Sequence, residues 1–327
     1  MATEAAPVLI QQSSDLYCLM QFLGEIAGLS TGLLWAITSI CFSEAGKRIG
    51  SFHVNKIRLL MAIAIYTAML LLTSGYLFPS DLNGQQFFWL ALSGFIGLVL
   101  GDGCGFRALV IIGPRLTTVM YALAPIIATV VAWLFLGEQL GWLDLVGIAV
   151  TICGIVWVVF EQRRKEKPTT PVWDHPDKGS FLFGILLGLG AATGQAVGLV
   201  MAKHAMFNAG GIVAPMEASF VRMVVAAASI WMFSIVRGQA VATFDSMKNR
   251  SAMTFCLGGA IAGPFLGVWM SLVAVSLIAT GVAATLNATT PVMILPMVVL
   301  FYKEKLSART IIGTIVTIIG VALLFLS

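Results

Sequence analysis

"ALAPIIATVVAWLFLGEQL", Ala122 to Leu140, and "ATTPVMILPMVVLFYKEKL", Ala288 to Leu306, decide how this chain is built. Each is an apolar run with a proline at its fourth position, and each closes on a glutamate with a leucine two residues on. A step of 166 positions carries Pro125 to Pro291, Phe135 to Phe301 and Glu138 to Glu304. The same step, without a gap, carries Gly97 to Gly263, Gly101 to Gly267, Gly147 to Gly313, Thr151 to Thr317 and Gly154 to Gly320. Further upstream the step shortens, as different loop lengths require. There Gly28, Gly32 and Lys47 fall on Gly184, Gly188 and Lys203, and Arg58 falls on Arg222. Self-similarity over such a length marks a duplicated architecture.

The solvent for that architecture follows from composition. Of 327 residues, 59% are hydrophobic and 10% charged, and the mean hydropathy is +0.96. Soluble domains carry about 25% charged residues. The long continuous runs predict helices crossing a bilayer, where each backbone must satisfy its own hydrogen bonds, rather than the short alternating strands of a barrel. The net charge of +4 reflects where basic residues cluster and gives no reason to expect nucleic acid. The five cysteines form no CxxC pair, so neither a disulfide framework nor a metal site is expected. Residues 1–23 carry no Lys or Arg and do not read as a cleavable signal peptide.

A crossing takes about 20 residues. Ten candidates stand out, at roughly 24–43, 56–77, 87–108, 115–136, 141–160, 180–202, 216–236, 252–274, 281–302 and 307–326. The charged, proline-bearing stretch 161–179 divides them into five and five. The expected organisation is therefore an N-terminal segment 1–23, a first repeat 24–160, a basic linker 161–179 and a second repeat 180–326. Five crossings leave the chain on the far side, so the second copy enters upside down. The fold class expected is an all-α integral membrane protein of two inverted five-helix repeats, a recurrent plan for secondary transporters whose site lies near the midplane.

Ten spans in two repeats, a mid-helix proline in the fourth of each and the L-x-x-x-E-x-L ending resemble the EamA-type repeats of the drug/metabolite transporter superfamily. The stretch 101–156, "GDGCGFRALV…TICGIV", carries most of that resemblance in the first copy. It implies a carrier of small organic solutes, often an exporter of amino acids or other metabolites. The alternative is a non-transporting membrane protein, a sensor or lipid-handling protein, on the same repeats. Membrane lipid and a small-molecule solute are the expected partners, a homodimer is allowed but not required, and no cofactor is called for.

Of the 19 basic residues, all but Lys203 and Arg222 fall at the connections following odd-numbered spans or in the turns beside them. The positive-inside rule makes that side, with the linker, cytoplasmic, in what would be a cell's inner or plasma membrane. Both termini would then lie outside, whereas relatives of the resembling kind are usually described with both inside.

Charges within spans are functional candidates, since each costs about 2.5–3.5 kcal/mol at the centre on insertion scales. Asp102 is the clearest: it can take up a proton, or simply pair with Arg58 or Arg107. Arg58 and Arg222 are repeat mates that either attract an anionic group or snorkel to the interface. Uncharged groups at matching depths are candidates for solute contact: Trp35, Thr38 and Ser39, Thr193 and Gln195, Tyr121 and its mate Asn287, and Trp269. Against them, hydroxyls often bond their own helix and Trp often belongs to the interfacial belt. Pro125 and Pro291 are expected kinks. Glu138 and Glu304 read as turn-and-cap residues, each ahead of a new helix whose dipole favours an acid by about 0.3–1 kcal/mol.

Enzyme signatures fail on context. "GLSTG" at 28–32 lies in an apolar helix rather than a strand–turn–helix elbow. No P-loop is present, and His53, His175 and His204 are scattered, with no H-E-x-x-H.

Overall fold

The structure is a computed structural model describing residues 5–79, 81–112, 117, 120–162, 181–302 and 307–326. Its helices in chain order are α1 (Ala5–Ile49), α2 (Ser51–Ser74), α3 (Gly84–Gly94), α4 (Asp102–Ile111), α5 (Ala124–Leu136), α6 (Trp142–Gln162) and α7 (Phe181–Phe207). Then come α8 (Pro215–Val236), α9 (Ala240–Ser246), α10 (Arg250–Ala260), α11 (Val268–Leu277), α12 (Thr280–Asn287), α13 (Thr290–Tyr302) and α14 (Ala308–Leu324). Wide π-helical turns, Phe95–Gly101 and Ile261–Gly267, join α3 to α4 and α10 to α11. No strand occurs among the described residues. Glu304, and the linker beyond Gln162, lie outside them.

Seven helical stretches among the described residues are long and apolar enough to cross a membrane: 18–49, 52–74, 84–105, 142–161, 181–207, 215–236 and 250–277. Two shorter apolar helices, α5 and α14, join them. The expected ninth span is broken, for a local reason. Pro291 has no N–H to give the carbonyl of Asn287 four residues back, and the chain interrupts its helix at Ala288 and Thr289. The Thr290 hydroxyl donates to that carbonyl at 3.2 Å instead. The first helix also runs back through residues expected to form a separate segment, beginning at Ala5.

The 166-residue step reappears in the backbone. Gly84–Gly94 matches Arg250–Ala260, Phe95–Gly101 matches Ile261–Gly267, Asp102–Ile111 matches Val268–Leu277 and Ala124–Leu136 matches Thr290–Tyr302. Even the caps repeat. The Asn83 side chain accepts from the amide of Gln86, and its mate Asn249 from that of Ala252, satisfying helix-start donors that would otherwise be orphaned. Pro264 lies in the second wide turn, but Leu98 holds that place in the first, so the turn does not need the proline. At the ends of α2 and α5 the chain reverses through Gly75 (φ 76°) and Gly137 (φ 67°), a left-handed conformation that costs glycine little.

Small residues set the packing, because between helices in lipid close backbone approach replaces the hydrophobic drive. Gly147 meets Leu324, Gly154 meets Thr317 and Gly313 meets Val158. Numbers rise along α6 as they fall along α14, so these two repeat-related helices run antiparallel. The first wide turn lays Gly97 and Gly101 on Gly198 and Gly194 of α7, while the second lays Gly263 and Gly267 on Thr38 and Trp35 of α1. The third segment of each half thus packs on the first helix of the other. One core joins the halves, with Ala27, Leu90 and Ile148 beside Ala202, Leu272 and Leu324.

Candidate functional site

Where the interleaved halves meet, they enclose a cavity of about 430 Å³, within the usual range for small-molecule sites. Its wall is built of repeat mates. Ser39 and Gln195, Arg58 and Arg222, Leu59 and Met223, Leu98 and Pro264 all line it. So do Asp102 and Val268, Tyr121 and Asn287, Ala122 and Ala288, and Ala124 and Thr290. Eight pairs related by the duplication face one space, so the cavity straddles the axis relating the two halves.

The charges in it are arranged unequally. Arg58 Nη2 lies 2.8 Å from Asp102 Oδ2, and its Nε donates to Asn55 Oδ1 at 2.7 Å. The other Asp102 oxygen accepts from Gln195 Nε2 at 2.7 Å, and that amide nitrogen also reaches the Gly97 carbonyl at 3.3 Å. An arginine on α2, an acid opening α4 and an amide on α7 therefore form one network across both halves. Arg222 on α8 is buried, and its Nε has no hydrogen-bond partner.

Of the residues singled out in the sequence, Trp35, Ser39, Arg58, Asp102, Tyr121, Gln195, Arg222, Asn287 and Pro291 lie in this wall. Thr38, Thr193, Trp269 and Pro125 do not. The Thr38 hydroxyl donates to its own helix at Leu34 O (2.8 Å) while its side chain packs on Gly263. Thr193 faces outward, exposed. Trp269 is half-buried, tilted over Phe265 with ring centres 6.0 Å apart. Pro125, at the second residue of α5, is buried among helices. Sequence inspection passed over Leu59, Leu98, Met223, Pro264 and Thr290 because they carry no charge and no unusual polarity. The signal that finds them is the duplication itself, since each is the mate of another wall residue.

Glu138 serves as a cap, but for a helix it does not precede. Its Oε2 accepts from the backbone amide of Thr280 at 2.7 Å, and its Oε1 accepts from the Thr280 hydroxyl and lies 2.8 Å from Lys203 Nζ. Lys203 also donates to Ile278 O at 2.8 Å. The N-terminus so capped is that of α12. The turn ahead of α6 is served by Asp144, whose Oδ2 accepts from Gly141 N at 2.9 Å. Glu217, five residues before Arg222 on α8, accepts a hydrogen bond from the Tyr76 hydroxyl.

The duplication, the helical fold and the shared cavity agree with a family assignment. Residues 22–160 and 182–326 each match the EamA-like transporter family. The chain belongs to that family. As an EamA-like protein it is an integral membrane protein of a transporter family, within the drug/metabolite transporter superfamily, and the family is not one of enzymes. Twenty-eight chains of solved structures match the fold. One crystal structure covers 92% of this chain and 95% of its own, with a TM-score of 0.72 at 18% identity, which shows a shared fold. No curated protein matches.

Proposed function

We propose that this EamA-like protein is a secondary carrier that moves a small organic solute through the shared cavity by alternating access. The observation that carries the proposal is the wall of eight repeat-mate pairs. Two halves with the same fold can exchange conformations, and a space on the axis between them is then presented first to one face and then to the other. That exchange requires the halves to be inverted across ten crossings. The antiparallel α6 and α14 support this, and the proline-broken fourth and ninth spans, with the 17-residue α14, would supply the three crossings that are not among the seven long stretches. On the charge distribution the linker 161–179 is cytoplasmic.

The driving force is either the solute's own gradient or a proton taken up by Asp102. The decisive experiment reconstitutes the full chain into vesicles and follows a panel of amino acids and other metabolites, with and without a pH gradient. The expected result is saturable flux of a subset. Flux of none, under any gradient, would replace the carrier by the sensor or lipid-handling alternative.

A further inference from the structure

Arg58 and Arg222 are the same residue of the duplicated unit, and only one of them holds an anion. Arg58 has Asp102 at 2.8 Å and Asn55 at 2.7 Å. Moving those partners by the repeat step shows what Arg222 has in their place. Asn55 becomes Ser219, whose hydroxyl is turned to its own helix at Pro215 O, 2.8 Å away. Asp102 becomes Val268, which lines the same cavity. Arg222 is only 4% exposed, its Nε has no partner, and no carboxylate among the described residues pairs with it. Glu217, the acid nearest along α8, is held by Tyr76. With Arg58, Arg222 and Asp102 as the charged wall residues, the cavity carries one positive charge in excess.

A buried guanidinium with no carboxylate in contact among the described residues is costly, and this one borders a space large enough for a ligand. We infer that the cavity is built for an organic anion: a carboxylate on an apolar body, seated beside Arg222 where repeat symmetry would put the carboxylate of Asp102. Val268 leaves that place free of protein charge, and Leu98, Ile155 and Met223 supply apolar wall for the rest of the molecule. The solute's carboxylate takes the charge-assisted, two-pronged contact that arginine favours. A neutral analogue leaves Arg222 unpaired, and an amine adds a second cation to a positive cavity. The inference rests on the carrier proposal and narrows its solute.

The test uses three molecules with one ring and different heads: phenylacetate, phenylacetamide and phenethylamine. The full chain is reconstituted in phosphatidylcholine vesicles, which lack anionic headgroups, and uptake is measured above protein-free vesicles. Phenylacetate should enter at least about tenfold faster than either analogue. Arg222→Met should bring phenylacetate down to the rate of the amide, and Arg222→Lys should keep a preference for the acid. Melting in detergent accompanies each variant; should Arg222→Met fail to fold, the wild-type ratio and Arg222→Lys decide. Equal wild-type rates for the three, or an undiminished acid preference in a folded Arg222→Met, overturn the inference and leave the carrier standing. Uptake of none of the three overturns the inference, and the carrier then stands or falls on the panel of amino acids and metabolites.

Discussion

Thr151 and Gly320 touch backbone to backbone: a Cβ on the glycine would lie 2.4 Å from the threonine amide nitrogen. The duplication returns the contact with its roles exchanged, since a Cβ on Gly154 would lie 2.5 Å from the amide nitrogen of Thr317. Two mates contacting two mates reciprocally is the signature of a two-fold axis, here within one chain. The axis passes between α6 and α14, and the cavity lies on it.

That contact predicts a stability effect. Gly154→Ala and Gly320→Ala force backbone against backbone, which no rotamer change relieves. Each should lower stability by about 1–3 kcal/mol, read as a lower melting temperature in detergent. At Gly103, where a Cβ would meet nothing within 4 Å, alanine should be harmless or stabilising.

Asp102→Asn should weaken the protein as well as its transport. Removing one partner of a buried ion pair costs about 3–5 kcal/mol, and the Arg58 and Asp102 side chains are 8% and 16% exposed. Replacing both by apolar residues should cost less stability than Asp102→Asn alone. In vesicles, a loss of flux both with and without a pH gradient would mark Asp102 as the anchor of Arg58. Loss confined to the pH-driven component would mark it as the proton site.

Glu138 ties α5 to Lys203 on α7 and to the start of α12. Glu138→Gln and Lys203→Met should each lower the melting temperature. Together they should show a coupling of about 0.5–3 kcal/mol in a double-mutant cycle. Strict additivity would mean that the pair is not a strut.

Thr193 and Gln195 separate cavity from outer surface. Thr193→Leu should change stability by no more than about 0.5 kcal/mol and leave transport as it was. Gln195→Leu removes the second hydrogen bond to Asp102 and should reduce transport strongly.

Part of this site was legible before any coordinates. The step of 166 residues located the two prolines and the pair Tyr121 and Asn287, and the shorter upstream step of 164 located the two arginines, because duplication preserves position along a helix. The same two steps would also have found Pro264, from Leu98, and Met223, from Leu59, had they been applied to apolar residues. Helix geometry could have gone further: Thr193 and Gln195 are two residues apart, about 200° around a helix, so both could not face one cavity. Depth along a span was readable, and facing was not.

The sequence by itself determined the solvent, the helical class, the duplication and the family, because each is written in composition or in self-similarity. Only the tertiary structure decided that Asp102 belongs to Arg58, that Arg222 has no counterpart to it, and that Glu138 caps a helix 142 residues away. The reason is physical. In water an apolar stripe tells which face of a helix turns inward, but lipid is as apolar as the core and erases that contrast. Facing is then set by where small residues let helices approach, and by which buried charges find a partner once they do.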